Sequence, residues 1–161
     1  MTLPRPVRVI GCGSQNGDDA AAWRVIERLR GRVGPGVDLF AVEGGHAILD
    51  LLDGRGSLVL IDAASSGAAP GTLHRLRWPS RQVERLRPQS THGIGLDEAL
   101  ALAAAVGTLP DTVLIVGIEI ARVEPGAALS EPVAAAVSEA TQWVLEQVGA
   151  GSEDTGNRPI A

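Results

Sequence analysis

Apolar positions along the chain follow two rhythms: short continuous runs, and sets spaced three and four apart. Val7 to Ile10 is a β-branched run closing at Gly11, and it predicts a buried strand. Val37 to Val42 predicts a second strand. Ser57 to Ile61 (SLVLI) predicts a third, with Asp62 delivered at its end, and Thr112 to Val116 (TVLIV) predicts another, closing at Gly117. Thr72 to Leu76 alternates apolar with polar residues and predicts an edge strand. Between these runs the period changes. Ala22, Ile26, Leu29 and Val33 recur at helical spacing, with Arg24, Glu27 and Arg28 elsewhere on the wheel. This helix is expected to start at Asp18 or Asp19 and to end at Gly34-Pro35-Gly36. Ile48 to Leu52 predicts a helical turn or two, and Leu96 to Val106 an Ala/Leu-rich helix. Pro132 to Val148 predicts a long helix with Val133, Val137, Val144 and Val148 on one face and Ser130 as its N-cap. Gly67 to Gly71 reads as a turn, and the polar stretch Arg81 to Arg87 takes no assignment.

Strands alternating with helices predict a three-layer α/β/α architecture: a twisted, mainly parallel sheet of about five strands with helices on both faces. Ligand sites in such sheets lie at the carboxyl ends of the strands. The 161 residues suit one domain, expected over 1–149. Beyond Gly149 the chain turns small, polar and proline-containing, and 150–161 is expected to be a disordered tail.

Composition narrows the chemistry. A net charge of -5 without a basic run argues against a broad nucleic-acid surface. No run of about 18 apolar residues is present, so no spanning segment is expected. The N-terminus enters a strand-like run without a signal-peptide core, which makes a cytoplasmic protein the simplest expectation. Every basic residue besides histidine is arginine, which removes Schiff-base chemistry and the P-loop lysine; tyrosine is absent as well. Cys12 is the single cysteine, so neither an internal disulfide nor a thiolate cluster can form. Carboxylates, three histidines, one thiol, hydroxyls and arginines remain.

Four of these groups converge. Asp18 and Asp19 follow the first strand, Asp62 ends the third, and His92 stands in STHGIGLDEAL before a helix. Carboxylates with one imidazole form a hard-to-borderline donor set suited to nickel, zinc, manganese or iron. Ordinary structural roles exist for each: an aspartate at a helix start caps it, an aspartate after a strand begins a turn, and a histidine beside glycines sits on the surface. The glycines of GCGSQNGDD also resemble a dinucleotide loop, with Glu43 as its ribose acid. Two acids beside that loop oppose a phosphate. One charge about 4 Å away costs about 4 kcal/mol at an effective dielectric of about 20, against up to about 2 kcal/mol gained from a helix terminus. A cation is therefore favoured. Cys12 between glycines reads as a buried small residue, with a reactive thiol as the alternative. His46 after Gly44-Gly45 reads as a surface residue or a neighbour of the site. His74, on the edge strand, is expected to face solvent.

The segments VIGCGSQNGDDAAAWRVIERL, VEGGHAILDLL, SLVLIDAASSG, STHGIGLDEALALA and LIVGIEIARVEPGAALSEPVAAAV, in this order over about residues 7 to 148, resemble the [NiFe]-hydrogenase maturation endopeptidases. The resemblance implies a twisted, mainly parallel sheet between helices. It implies an endopeptidase that cuts a C-terminal extension from the hydrogenase large-subunit precursor once nickel is inserted. Carried over by position, it implies Asp19, Asp62 and His92 as metal ligands and catalytic groups, with Asp18 and His46 beside them. The nickel would be presented by the precursor. The chain departs from the family pattern in its first loop, where only Ser14, Gln15, Asn16 and Gly17 separate Gly13 from the acidic pair instead of five residues. It also has Ala22 where glycine is frequent, and His46 where threonine is common. The expected activity is thus nickel-dependent peptide hydrolysis, by a Lewis-acid route or by a carboxylate acting as general base on water. The alternative is a non-catalytic nickel-sensing or hydrogenase-subunit-binding protein of the same fold. A nucleotide-binding enzyme built on the glycine loop is a third reading.

Overall fold

The computed structural model describes residues 2–86, 94–121, 124 and 126–149. In chain order these form β1 (Val7–Cys12), a short 3-10 turn (Gly17–Ala20), α1 (Ala21–Leu29), β2 (Val37–Val42), α2 (Gly45–Asp50) and β3 (Ser57–Ala64). β4 (Leu73–Arg77), α3 (Gln82–Leu86), α4 (Leu96–Val106), β5 (Thr112–Glu119) and α5 (Glu131–Val148) follow. The tail expected over 150–161 lies outside the described residues.

The five strands pair in the order β2-β1-β3-β5-β4. All neighbours are parallel except β4, which runs antiparallel to β5 at the edge. Strands of this kind read as continuous apolar runs because both faces are covered. All eight positions of β3 are buried. One face carries Val7, Val9, Val59, Ile61, Val116 and Ile118 against α1 and α5. The other carries Ile10, Leu58, Leu60, Val113 and Ile115 against α2, α3 and α4. The expected three layers are therefore present, with a core on each side of the sheet.

Several boundaries differ from the sequence pattern. The first helix closes at Leu29, where Gly31 takes a φ of +76°, so Val33 lies beyond it and packs on the core from a loop. The polar stretch after β4 forms the short α3, which buries Val83 and Leu86. β1 and β3 run past their expected ends, to Cys12 and Ala64, because ladder pairing with flanking strands continues there. Gly11 explains how α1 lies so close to β1: a Cβ there would stand 2.7 Å from Ile26 Cγ1 and 2.8 Å from the Ala22 carbonyl oxygen. At the opposite end of the sheet, the Arg8 guanidinium grips Asp53 in a two-pronged pair, Nη1 to Oδ1 at 2.6 Å and Nη2 to Oδ2 at 2.8 Å.

Candidate functional site at the carboxyl edge of the sheet

The first loop closes on itself before the helix starts. Gly13 donates its N–H to the Val42 carbonyl (3.0 Å), and Ser14 donates to the Asp19 carbonyl (3.1 Å). The Asn16 N–H reaches Ser14 Oγ (3.2 Å), and the Asp19 N–H reaches the Asn16 carbonyl (3.0 Å). A Cβ on Gly13 would fall onto the Asp19 carbonyl oxygen, so only glycine lets this short loop fold back. The shortened loop is thus accommodated by tight turning, with both acids in the 3-10 turn rather than at the start of α1.

The two acids then part. Asp18 is 2% exposed, and its carboxylate reaches across the fold. Oδ1 accepts the Ser130 N–H at 2.7 Å, while Oδ2 accepts the Ala121 N–H at 2.9 Å and the Ser130 hydroxyl at 2.9 Å. The capping role open to Asp18 is therefore corrected: this carboxylate fastens the β5–α5 connection instead of its own helix. Ser130 holds the N-cap position of α5, but its side chain makes no cap hydrogen bond and turns to Asp18. Asp19 is partly exposed in the same turn, at the edge where β1 ends.

Asp62 lies within β3, two residues before its end, and is 7% exposed. Its Oδ1 accepts the Ala63 N–H at 2.8 Å. In the ladder it stands between Cys12 and Gly117, in the row Val42, Cys12, Asp62, Gly117, His74. Cys12 is buried, in keeping with a small core residue. The structure thus brings Asp19 and Asp62 to one edge. His92 lies outside the described residues. α4 enters at this edge, with the Ile94 carbonyl and side chain packed against Gly45 at the start of α2. His46, next along α2, is exposed. Among the described residues, no three of His, Cys, Asp and Glu form a metal-binding group.

One carboxylate went unseen in the sequence pattern. Glu119, at the end of β5, is 2% exposed. It accepts the Ser66 N–H (2.7 Å), the Gly67 N–H (3.0 Å) and the Ser66 hydroxyl (3.0 Å), and it meets His74 Nε2 at 3.1 Å. The expectation that His74 faces solvent is corrected: its ring turns to this buried acid. The signal was an acid interrupting an otherwise apolar run, TVLIVGIEI. Buried carboxylates survive when donors surround them, as here.

Fold and edge together define a three-layer α/β protein with acids presented at the carboxyl ends of its parallel strands. Residues 23–147 match the model of the hydrogenase maturation protease family, HycI. The chain is 32% identical over 156 residues to the hydrogenase expression/formation protein HoxM of Azotobacter vinelandii, across 91% of this chain and 73% of that one. The hydrogenase maturating endopeptidase HybD from E. coli superposes with a TM-score of 0.75 at 27% identity, over 87% of this chain and 90% of that one. A hydrogenase 2 maturation peptidase from a Thaumarchaeota archaeon does so with a TM-score of 0.64 at 28% identity, over 87% and 95%. The chain belongs to the hydrogenase maturation proteases. It is a hydrolase of peptide bonds, and its reaction is removal of the C-terminal extension of a hydrogenase large-subunit precursor. This agrees with the expected peptide hydrolysis, in place of the binding-module and nucleotide readings.

Proposed function

We propose that this protease acts on a [NiFe]-hydrogenase large-subunit precursor after nickel insertion, and that Asp19, Asp62 and His92 meet the nickel which the precursor holds. The observation that carries this reading is Asp62, a carboxylate on a strand buried at every position, standing at the carboxyl edge beside the turn that bears Asp19. Withdrawing a carboxylate from water is costly, so its burial at 7% exposure calls for a role. Oxygen donors from two acids suit a borderline divalent ion. The metal would then report that assembly is complete, and would dock the scissile bond beside the protease.

Peptide hydrolysis needs a water whose proton is taken as its oxygen attacks the carbonyl carbon. The C–N bond then breaks, with a proton delivered to the departing amine. Asp62 is the group we assign to take the water proton. The nickel of the precursor would polarise the carbonyl when bound. Asp18 acts differently: it anchors the β5–α5 connection and so sets the turn from which Asp19 projects. The proposed location is the cytoplasm, where the substrate protein is made. Among the described residues no helix is long and apolar enough to cross a membrane.

Nickel-loaded precursor incubated with wild type and with Asp62→Ala tests the assignment, with release of the extension followed by mass. Removing a positioned general base lowers turnover by about 10²–10⁴-fold, and that loss is expected. Undiminished tail removal by the variant would overturn the role of Asp62.

A further inference from the structure

The stretch Arg75 to Arg87 holds five of the fourteen arginines, against the single acid Glu84, in a protein of net charge -5. Arg75 is paired with Glu139 of α5 at 2.9 Å. Arg77, Arg81 and Arg85 are exposed and have no ion-pair partner among the described residues. Of these arginines, Arg85 lines a cavity of about 270 Å³, together with Ser66, His74, Leu76, Gln82 and Leu86. Arg75 and Arg77 alternate with His74 and Leu76 along β4 and so stand on the opposite face of the sheet. One negative charge stands behind the cavity wall, bonded to the lining residues Ser66 and His74. Glu119 is buried, and four donors surround its carboxylate. His74 Nε2 is committed to Glu119, which fixes the ring at the cavity wall. Arg85 offers a planar guanidinium, which matches a carboxylate in two-pronged fashion. Gln82 adds an amide, and Leu76 and Leu86 supply apolar walls for methylene groups.

The cavity also has a defined relation to Asp62. His74 pairs across the ladder with Gly117, and Gly117 with Asp62. The two positions are two strand spacings apart, roughly 10 Å, and share one face of the sheet. An extended peptide covers that distance in about three residues. The Leu86 methyls fill the space over Gly117, 3.1 and 3.2 Å from where a Cβ would stand, so a peptide joining the two positions passes over Leu86.

We propose that this cavity is a specificity subsite taking an acidic side chain, Asp or Glu, of the protein substrate, about three residues from the bond cut beside Asp62. The proposal rests on the reading above for the position of the cleaved bond. A long polyanion is disfavoured by the net negative charge of the molecule, whereas a single carboxylate needs only the local field.

The first arm of the test is binding. The chain has three histidines, so the ring signals of His74 in labelled protein are identified by their loss in His74→Gln. N-acetylglutamate amide is expected to move those signals saturably, N-acetylglutamine amide to leave them in place, and Arg85→Gln to weaken the response about fivefold. No saturable change, an equal response to the glutamine probe, an unaltered response in Arg85→Gln, or tighter binding of inorganic phosphate would each overturn the proposal. The second arm is processing of nickel-loaded precursor, where Arg85→Gln is expected to raise KM about fivefold with kcat retained. An unchanged KM would count against a substrate role. Precursor left uncut by the wild type would refute the functional reading instead, and the binding arm then decides the subsite alone.

Discussion

Asp18 and Asp19 are neighbours of one chemical type, and only their surroundings assign them. Asp18 is buried under three donors from the Ala121–Ser130 connection, whereas Asp19 is partly exposed at the edge. Asp18→Ala strips partners from two backbone N–H groups and a hydroxyl. We expect a loss of about 2–3 kcal/mol of stability, read as a lower urea midpoint with an unchanged slope. Asp19→Ala is expected to stay within about 1 kcal/mol of wild type in the same melts, which separates a tether from a site residue. The aspartate pair and Asp62 were legible as candidates from residue type and position after strands. How the pair divides its work was not, because the partners of Asp18 lie more than a hundred residues away. Glu119 and His74 were hidden for the same reason: their bond joins two strands that meet only in the sheet.

At the scale of elements, hydrophobic rhythm located every strand and the three longer helices. The ends agree for β2 and α4 and differ for β1, β3, β5 and α1. β3 continues through Asp62 because β1 and β5 still offer ladder partners there, and a polar residue is tolerated at the buried edge. α3 escaped notice because five residues bury too little apolar surface to show a period. The Arg8–Asp53 pair ties β1 to the loop before β3 and carries a pH signature. The Arg8 hydrogen bonds, and after them the Arg55 N–H, hold the Asp53 carboxyl well below the usual carboxylate range. A lowered folded-state pKa stabilises above the unfolded value of about 3.9, and that contribution is lost as pH falls through the folded one. The melting temperature of wild type should therefore exceed that of Asp53→Asn by a constant margin above about pH 5, and the margin should close on acidification. A margin that grew with acid would refute the linkage. It should also be small, since an exposed pair contributes little.

At the scale of the whole molecule, two cores clamp one sheet, and the site lies where their strands end. Leu60 is fully buried on the face covered by α2, α3 and α4. Leu60→Ala is expected to cost about 2–5 kcal/mol in equilibrium unfolding, through lost burial and a residual cavity. A cost below about 1 kcal/mol would mean that this face is looser than its packing indicates. Family membership places the molecule among hydrogenase maturation proteases.

The sequence by itself determined the layer architecture, the approximate strands, and the set of acids and histidines from which a site at that edge is drawn. These follow from local periodicity and residue chemistry, which need no knowledge of distant partners. Tertiary structure alone decided that Asp18 fastens the loop before α5, that Ser130 turns from its helix to reach it, and that Glu119 draws His74 to the wall of a basic cavity. Each of those bonds joins groups far apart in the chain. Only the assembled sheet, with its fixed register, brings them within hydrogen-bonding distance.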